Sequence, residues 1–325
     1  MLYPLTFKPV FQERLWGGRN LERLYDKPLE SGRVIGESWE IADRPDVSRV
    51  VADGIFAGKD IHWLIEKHGA DLLGNATLAN GRFPLLVKIL DAHEKLSLQV
   101  HPPPAKAAES GGEPKTEMWY IVSASPGAEL FAGLKNGVTR ESFCRHLEEG
   151  TVADCFHRIS VREGDAIFLP SGRVHAIGGG LVLFEIQQNS DTTYRVFDWN
   201  RVDQTGKPRA LHIKESLECI DFRDFEPALI TPTLVKQNGL EVRELVAHAL
   251  FHVSLAEILF EDSFELPAGQ MHILGVTSGN LEMRHSAGLK ELKAGDFCLI
   301  PAAVGDLRLQ GKRHTKFLWA TAGPG

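Results

Sequence analysis

Residues 164–177 read GDAIFLPSGRVHAI, and the fold turns on how that stretch is read. Gly164 and Asp165 suit a tight turn into a short apolar strand, and Pro170 with Gly172 suit a second turn where backbones approach closely. The chain then re-enters a strand that opens on His175, whose side chain is expected to point inward. The spacing G-x5-P-x-G-x2-H returns 131 residues later as GDFCLIPAAVGD, residues 295–306, which fits G-x5-P-x-A-x2-D. The strand and turn upstream are echoed as well, EMWYIVSASPGAEL from 117 and MHILGVTSGNLEM from 271. Self-similarity of this kind implies two copies of one β unit. In the second copy Ala303 stands for Gly172 and Asp306 for His175, so that copy is expected to keep the scaffold and lack the ligand.

Elsewhere the chain offers short apolar runs such as FPLLVKIL, LSLQV, EMWYIV and LVLFEIQ, closed by Gly, Pro, Asp and Asn. That punctuation predicts an antiparallel barrel or sandwich, not strand-helix alternation. Helices are expected over 60–74, over 139–150 with a Thr-x-x-Ser start, and over 211–220, all packed around the β core. The stretch 221–239, with two prolines, reads as a linker.

A chain of 325 residues with 43% hydrophobic content can bury a large core, enough for about two domains. A net charge of -7 argues against nucleic acid or an anionic membrane as partner. No apolar run is long enough to span a bilayer, and Pro4, Lys8 and Pro9 interrupt the first residues, so neither a span nor a secretory signal is expected and the protein reads as cytoplasmic. Cys144, Cys155, Cys219 and Cys298 lack paired spacing, which fits reduced thiols and leaves nitrogen and oxygen to hold any metal.

SLQVHPPP sets Ser97, Gln99 and His101 at alternate positions, hence on one strand face. Glu117 opens another strand, with Lys115 two residues earlier on the same side. With His175 these give two imidazoles, a carboxylate and an amide, a donor set suited to a divalent metal, zinc before iron or manganese. Gln99 would fill a position that an oxygen-activating iron site leaves open, which tilts the balance toward zinc. Glu185 shares a strand face with Leu181, Leu183 and Gln187. Trp16, Trp39 and Trp119 read as core or rim packing, and Glu148 with Glu149 as a solvated helix end.

Taken together, ERLWGG (13–18), GESWEI (36–41), FPLLVKILDA (83–92), LSLQVHP (96–102), KTEMWY (115–120), PSGRVHAI (170–177) and SDTTYRVFDWNR (190–201) resemble the type I phosphomannose isomerases of the short bacterial form, within the cupin superfamily. The likeness covers essentially the whole chain. It implies a mainly β fold of two cupin-type (jelly-roll) β-barrel domains with a few peripheral helices. Residues 1–225 would form the metal-binding catalytic domain, with a short helical insertion near 136–158, and residues 226–325 a degenerate domain without ligands. The family's ligands carry over as Gln99, His101, Glu117 and His175 around one zinc per chain, and its active-site arginine as Arg195. Ser97, Lys88, Lys115 and Glu185 match pocket positions, Ser97 and Lys88 as substrate-binding residues. This chain departs from the family in its reduced insertion and in having Gly179 for the usual Asn after the motif histidine.

The implied reaction interconverts mannose 6-phosphate and fructose 6-phosphate through a cis-enediol, with a small sugar phosphate as partner and no obligate protein partner. Arg195 would stabilise the enediolate or hold the phosphate. Glu185 leads Lys115 as the group that moves the proton. Two other readings stay open: a metal-dependent cupin oxygenase, and a cupin that binds a sugar phosphate without turnover. Oxygen consumption with metal analysis separates the first from an isomerase, and saturable binding without product identifies the second.

Overall fold

The computed structural model describes residues 1–323 except 204, 238, 261, 262, 287 and 306, so Asp306 lies outside the described residues. Among the described residues twenty-one strands stand against five short α-helices, and the molecule is mainly β. In the first half a six-stranded antiparallel sheet runs in the order Val10–Gly18, Ile35–Ile41, Leu85–Ala92, Leu181–Gln188, Glu117–Ala124, Ala166–Leu169. A five-stranded sheet runs Tyr194–Phe197, Leu98–Val100, His175–Ile177, Glu129–Leu134, Phe156–Ser160. Leu90, Trp119 and Leu183 from the first sheet meet Leu130 and Ile177 from the second in one buried cluster.

The second half repeats the plan. Its six-stranded sheet runs Thr233–Gln237, Leu240–His248, Phe251–Ile258, Lys316–Ala322, His272–Ser278, Phe297–Ile300, strand for strand the order of the first. Its partner sheet has four strands and no counterpart of the edge strand Tyr194–Phe197. The repeated glycines adopt the same left-handed turn, Gly164 at φ 91° and Gly295 at φ 86°. An aspartate closes each turn in the same way, Asp165 accepting from Arg162 N–H at 2.8 Å and Asp296 from Lys293 N–H at 2.9 Å.

Strand alternation explains how one run serves two cores. Along LLVKIL, Val87 and Ile89 face a large cluster shared with Leu245, Val253, Ile273 and Leu318 of the second half, whereas Leu90 faces inward. Lys88 is on Leu90's side. The amino-terminal segment adds to the junction, Leu5 exchanging both backbone hydrogen bonds with Leu299 at 2.8 Å.

The three expected helices form as Ile61–Leu73, Arg140–Glu148 and Ile213–Cys219. Asp60 caps the first, and Thr139 with Ser142 makes a reciprocal capping box on the second. Helices Asn20–Tyr25 and Pro104–Ser110 had no forecast, each being too short to display a period. The expected linker is shorter than 221–239, because the alternating residues Thr233–Gln237 form a strand paired with Leu240–His248. The residues before it are strapped to the first half, Glu226 N–H donating to Leu134 and Ile230 N–H to Ala166, both at 2.9 Å. No described helix is long and apolar enough to cross a membrane.

Candidate metal centre

The two sheets of the first half each send donors to one point. Glu117 begins its strand in the six-stranded sheet, between Leu169 and Gln187. His175 begins its strand in the five-stranded sheet, between Gln99 and Ala132. His101 follows the strand of Gln99, and its carbonyl accepts from Gly172 N–H at 2.9 Å, which ties the two histidine segments together. Gly172 has φ 90°, a conformation that L side chains rarely adopt.

One ligand atom from each of His101, Glu117 and His175 lies within 4.8 Å of the others. The histidine Nε2 atoms stand 3.6 Å (His101) and 3.4 Å (His175) from Glu117 Oε1. Gln99 completes the group, its amide nitrogen 3.3 Å from His175 Nε2. All three residues of the trio are at most 1% exposed.

Hydrogen bonds on the far side of each ring fix what the near side offers. His101 Nδ1 is 2.9 Å from the Thr192 carbonyl and His175 Nδ1 is 3.0 Å from the Arg173 carbonyl. A carbonyl only accepts, so each Nδ1 carries the proton and each Nε2 keeps its lone pair toward the shared space. Burial above all, then the neighbouring charges, favours the neutral rings: His175 is pushed down to about 3, and His101 is lowered too. Burial alone would raise the Glu117 carboxyl, but the Lys115 ammonium outweighs it and holds the carboxyl well below the usual range. Neither Glu117 oxygen receives a hydrogen bond of good geometry, although Oε2 is 2.5 Å from Lys115 Nζ. Two neutral nitrogens and an orphaned buried carboxylate oxygen are what a divalent ion requires, and the residues fit one.

Of the four donors Gln99 lines a cavity of about 470 Å³, together with Lys115, Glu185, Lys88, Ser97 and Arg195. Ser97 contacts Gln99 at 3.4 Å, as residues on one strand face should. Glu185 lies deep, 3% exposed, with Oε2 accepting from Trp119 Nε1 at 2.9 Å. Its Oε1 makes no hydrogen bond and faces two ammonium groups, Lys88 at 3.3 Å and Lys115 at 3.9 Å. Burial dominates there and raises the Glu185 carboxyl, with the Glu117 charge adding and the lysines opposing. Trp119 is therefore more than packing. Arg195 pairs with neither Asp191 nor Asp198; its guanidinium donates to Ser97 Oγ at 3.3 Å and to the Ala210 carbonyl at 3.0 Å.

Sequence reasoning overlooked a second layer. Lys88 is 4% exposed and does not snorkel to solvent; its ammonium sits between Glu185 and Glu37, 3.7 Å from the latter. Glu37 accepts from Trp39 Nε1 at 2.6 Å and from Arg14 Nε at 2.8 Å. Burial acts to raise Glu37, but Lys88 and Arg14 prevail and bring it down to about 2. The available signal was an acid alternating with Trp39 inside an apolar strand. Arg209, which also lines the cavity, sits in a stretch with no periodicity to mark it.

Comparison with known proteins gives one consistent result. A family model for the type I phosphomannose isomerase catalytic domain matches residues 5–133. A mannose-6-phosphate isomerase of Bacillus subtilis is 37% identical over 310 residues, covering 95% of this chain and 96% of that protein. One from Streptococcus mutans is 36% identical over 316 residues, covering 96% of each. The crystal structure of the mannose 6-phosphate isomerase from Bacillus subtilis superposes with a TM-score of 0.89 at 30% identity, over 98% of this chain and 99% of the other.

Proposed function

The chain belongs to the type I mannose-6-phosphate isomerase family, and from that membership we propose that it interconverts mannose 6-phosphate and fructose 6-phosphate in the cavity beside His101, Glu117 and His175. Those three residues and Gln99 would hold a single divalent ion, zinc by the softness of two imidazoles and the four-donor set. The Gln99 amide presents oxygen in place of nitrogen by a half-turn of its last torsion. When bound, the ion supplies Lewis-acid stabilisation of charge developing on the sugar oxygens.

The protein's own groups carry the proton. Glu185 takes the hydrogen from C2 of the open-chain aldose while O1 is protonated, which leaves a cis-enediol. The same carboxyl then returns a proton to C1 as the O2 hydroxyl loses its own, giving the ketose. The observation that carries this assignment is Glu185 Oε1, buried, without a hydrogen bond, and flanked by Lys88 and Lys115. A carboxyl raised by burial is a better base than an ordinary one. Lys115 is ion-paired to Glu117 and so serves better as a fixed charge than as the base. Ser97 and Lys88 bind the sugar chain, and Arg195 meets the anionic end.

We read the two sheet pairs as two jelly-roll domains, with the catalytic one ending near residue 225. Four free thiols suit a reducing compartment such as the cytoplasm. The test is direct: protein reconstituted with zinc should form fructose 6-phosphate from mannose 6-phosphate, a chelated sample should not, and deuterium from solvent should appear in product. Turnover undiminished by chelation would overturn the metal assignment, and solvent deuterium at C1 of the product supports proton transfer over a hydride shift, whereas undiminished kcat in Glu185→Gln would overturn Glu185 as the base.

A further inference from the structure

The reading above gives no role to Arg209, which lines the cavity, or to the tail of SDTTYRVFDWNR, residues 198–201, which holds it. Asp198 is 5% exposed and accepts from two guanidiniums at once. Arg201 Nη2 reaches it at 2.5 Å, and Arg209 grips it with two nitrogens, Nε at 2.7 Å and Nη2 at 2.5 Å. Arg195 adds a third guanidinium, and among the described residues no carboxylate lies within 4.0 Å of it. Arg195 and Arg209 both line the cavity, and burial followed by the charge of Arg209 lowers the Arg195 guanidinium. Arg195 and Arg209 set two guanidiniums on the lining of the cavity, a pair whose donors suit a phosphate monoester dianion.

The backbone here is also unusual. Trp199 and Asn200 have φ of 58° and 55°, successive left-handed residues that are not glycine. Trp199 Nε1 donates to the Leu96 carbonyl and Arg201 Nη1 to the Lys95 carbonyl, both at 2.7 Å, so the turn is pinned to the residues that lead into Ser97. Strain of this sort persists only where surrounding contacts overdetermine it. What it achieves is to bring Asp198 under Arg209 while Arg195 leaves the same strand toward Ser97.

We propose that Arg209 is the second arm of a phosphate cradle with Arg195, and that Asp198 is the positioning residue that holds Arg209 in place. The inference rests on the sugar-phosphate reading of the cavity. A bidentate carboxylate leaves Arg209 its Nη1 donors and its charge for the ligand, and fixes the plane of the fork.

The test uses inorganic phosphate, titrated calorimetrically into chelated full-length protein, beside steady-state kinetics of the zinc-reconstituted enzyme. Arg209→Ala should weaken phosphate binding on the order of 10- to 100-fold and raise KM for mannose 6-phosphate by a similar factor, with a smaller change in kcat. Asp198→Asn should move both quantities the same way, by roughly three- to tenfold, as expected of a weakened charged hydrogen bond. Arg209→Lys keeps the charge without the fork and should fall between, which also covers a failure of the alanine variant to fold. Phosphate affinity and KM unchanged in the arginine variants overturn the proposal. Arg209-dependent phosphate binding in a wild-type protein that makes no fructose 6-phosphate would support the cradle and sink the isomerase reading alone.

Discussion

Glu117 in the first half and His272 in the second hold the same place in equivalent sheets, opposite Leu169 and Ile300 at the ends of the matching strands. Their surroundings have diverged. Glu117 leaves a carboxylate oxygen without a hydrogen bond and faces two imidazole lone pairs. His272 leaves nothing open: Nε2 is 2.7 Å from the Pro267 carbonyl and Nδ1 accepts from Trp319 Nε1 at 2.9 Å. The register that pairs Trp119 with Glu185 in the first half pairs Leu274 with Trp319 in the second, so an indole stands where the proposed base would be. Both halves keep a cavity at this end, about 310 Å³ in the second, but Glu265 is the one ionised side chain in its lining among the described residues. The lesson is that the scaffold is neutral toward chemistry. In the first half buried donors converge around a carboxylate that no hydrogen bond satisfies, with Lys115 Nζ and the Gln99 amide beside the imidazole nitrogens. In the second each ring nitrogen of the histidine is matched by a backbone or indole partner.

That contrast can be broken at several points, and the effects should fall in a definite order. His175→Ala or His101→Ala removes a donor from the open group and should abolish zinc binding by elemental analysis, together with on the order of a thousandfold in turnover. Full metal content in either variant would break the comparison at its root. Glu185→Gln should retain zinc and still lose on the order of 10²- to 10⁴-fold in kcat, because only the proton acceptor has gone.

Glu37→Gln sharpens the account of the second layer through acid unfolding. The Glu37 carboxyl is depressed to about 2 in the folded protein by Lys88 and Arg14, against burial. A depressed acid stabilises the fold above its unfolded value and loses that contribution as pH falls toward the folded one. The wild type should therefore shed about 3 kcal/mol from this group between about pH 4.5 and pH 2, and the glutamine variant should show a correspondingly shallower acid limb in denaturant titrations. Identical acid limbs would contradict the ion-paired network. The smallest effect belongs to the second half. Trp319→Phe removes the indole donor to His272 and should cost about 1 kcal/mol of stability, with zinc content and turnover unaltered.

Sequence made some of this legible and hid the rest for physical reasons. Gly164, Gly172, Gly295 and the aspartates beside the first and last of them are backbone requirements, and such requirements fix residue type at fixed spacing, so the repeat was visible. Ser97, Gln99 and His101 were readable because a strand has a period of two. Glu117, Lys115 and Glu185 were individually visible, but their meeting depends on which strands pair, and no local pattern carries that. Arg14, Glu37 and Arg209 escaped because each looks like an ordinary charged residue until its partners, 23 positions away for Arg14 and 11 for Arg209, are known. The strand at Thr233–Gln237 was hidden by the prolines before it.

The central claim is that one half holds a metal and the other cannot. Anomalous scattering at the zinc edge from crystals of the zinc-reconstituted protein tests it in a single map. The account predicts one strong peak in contact with His101, Glu117 and His175, and none beside His272. Zinc bound elsewhere, with that trio empty, would contradict it.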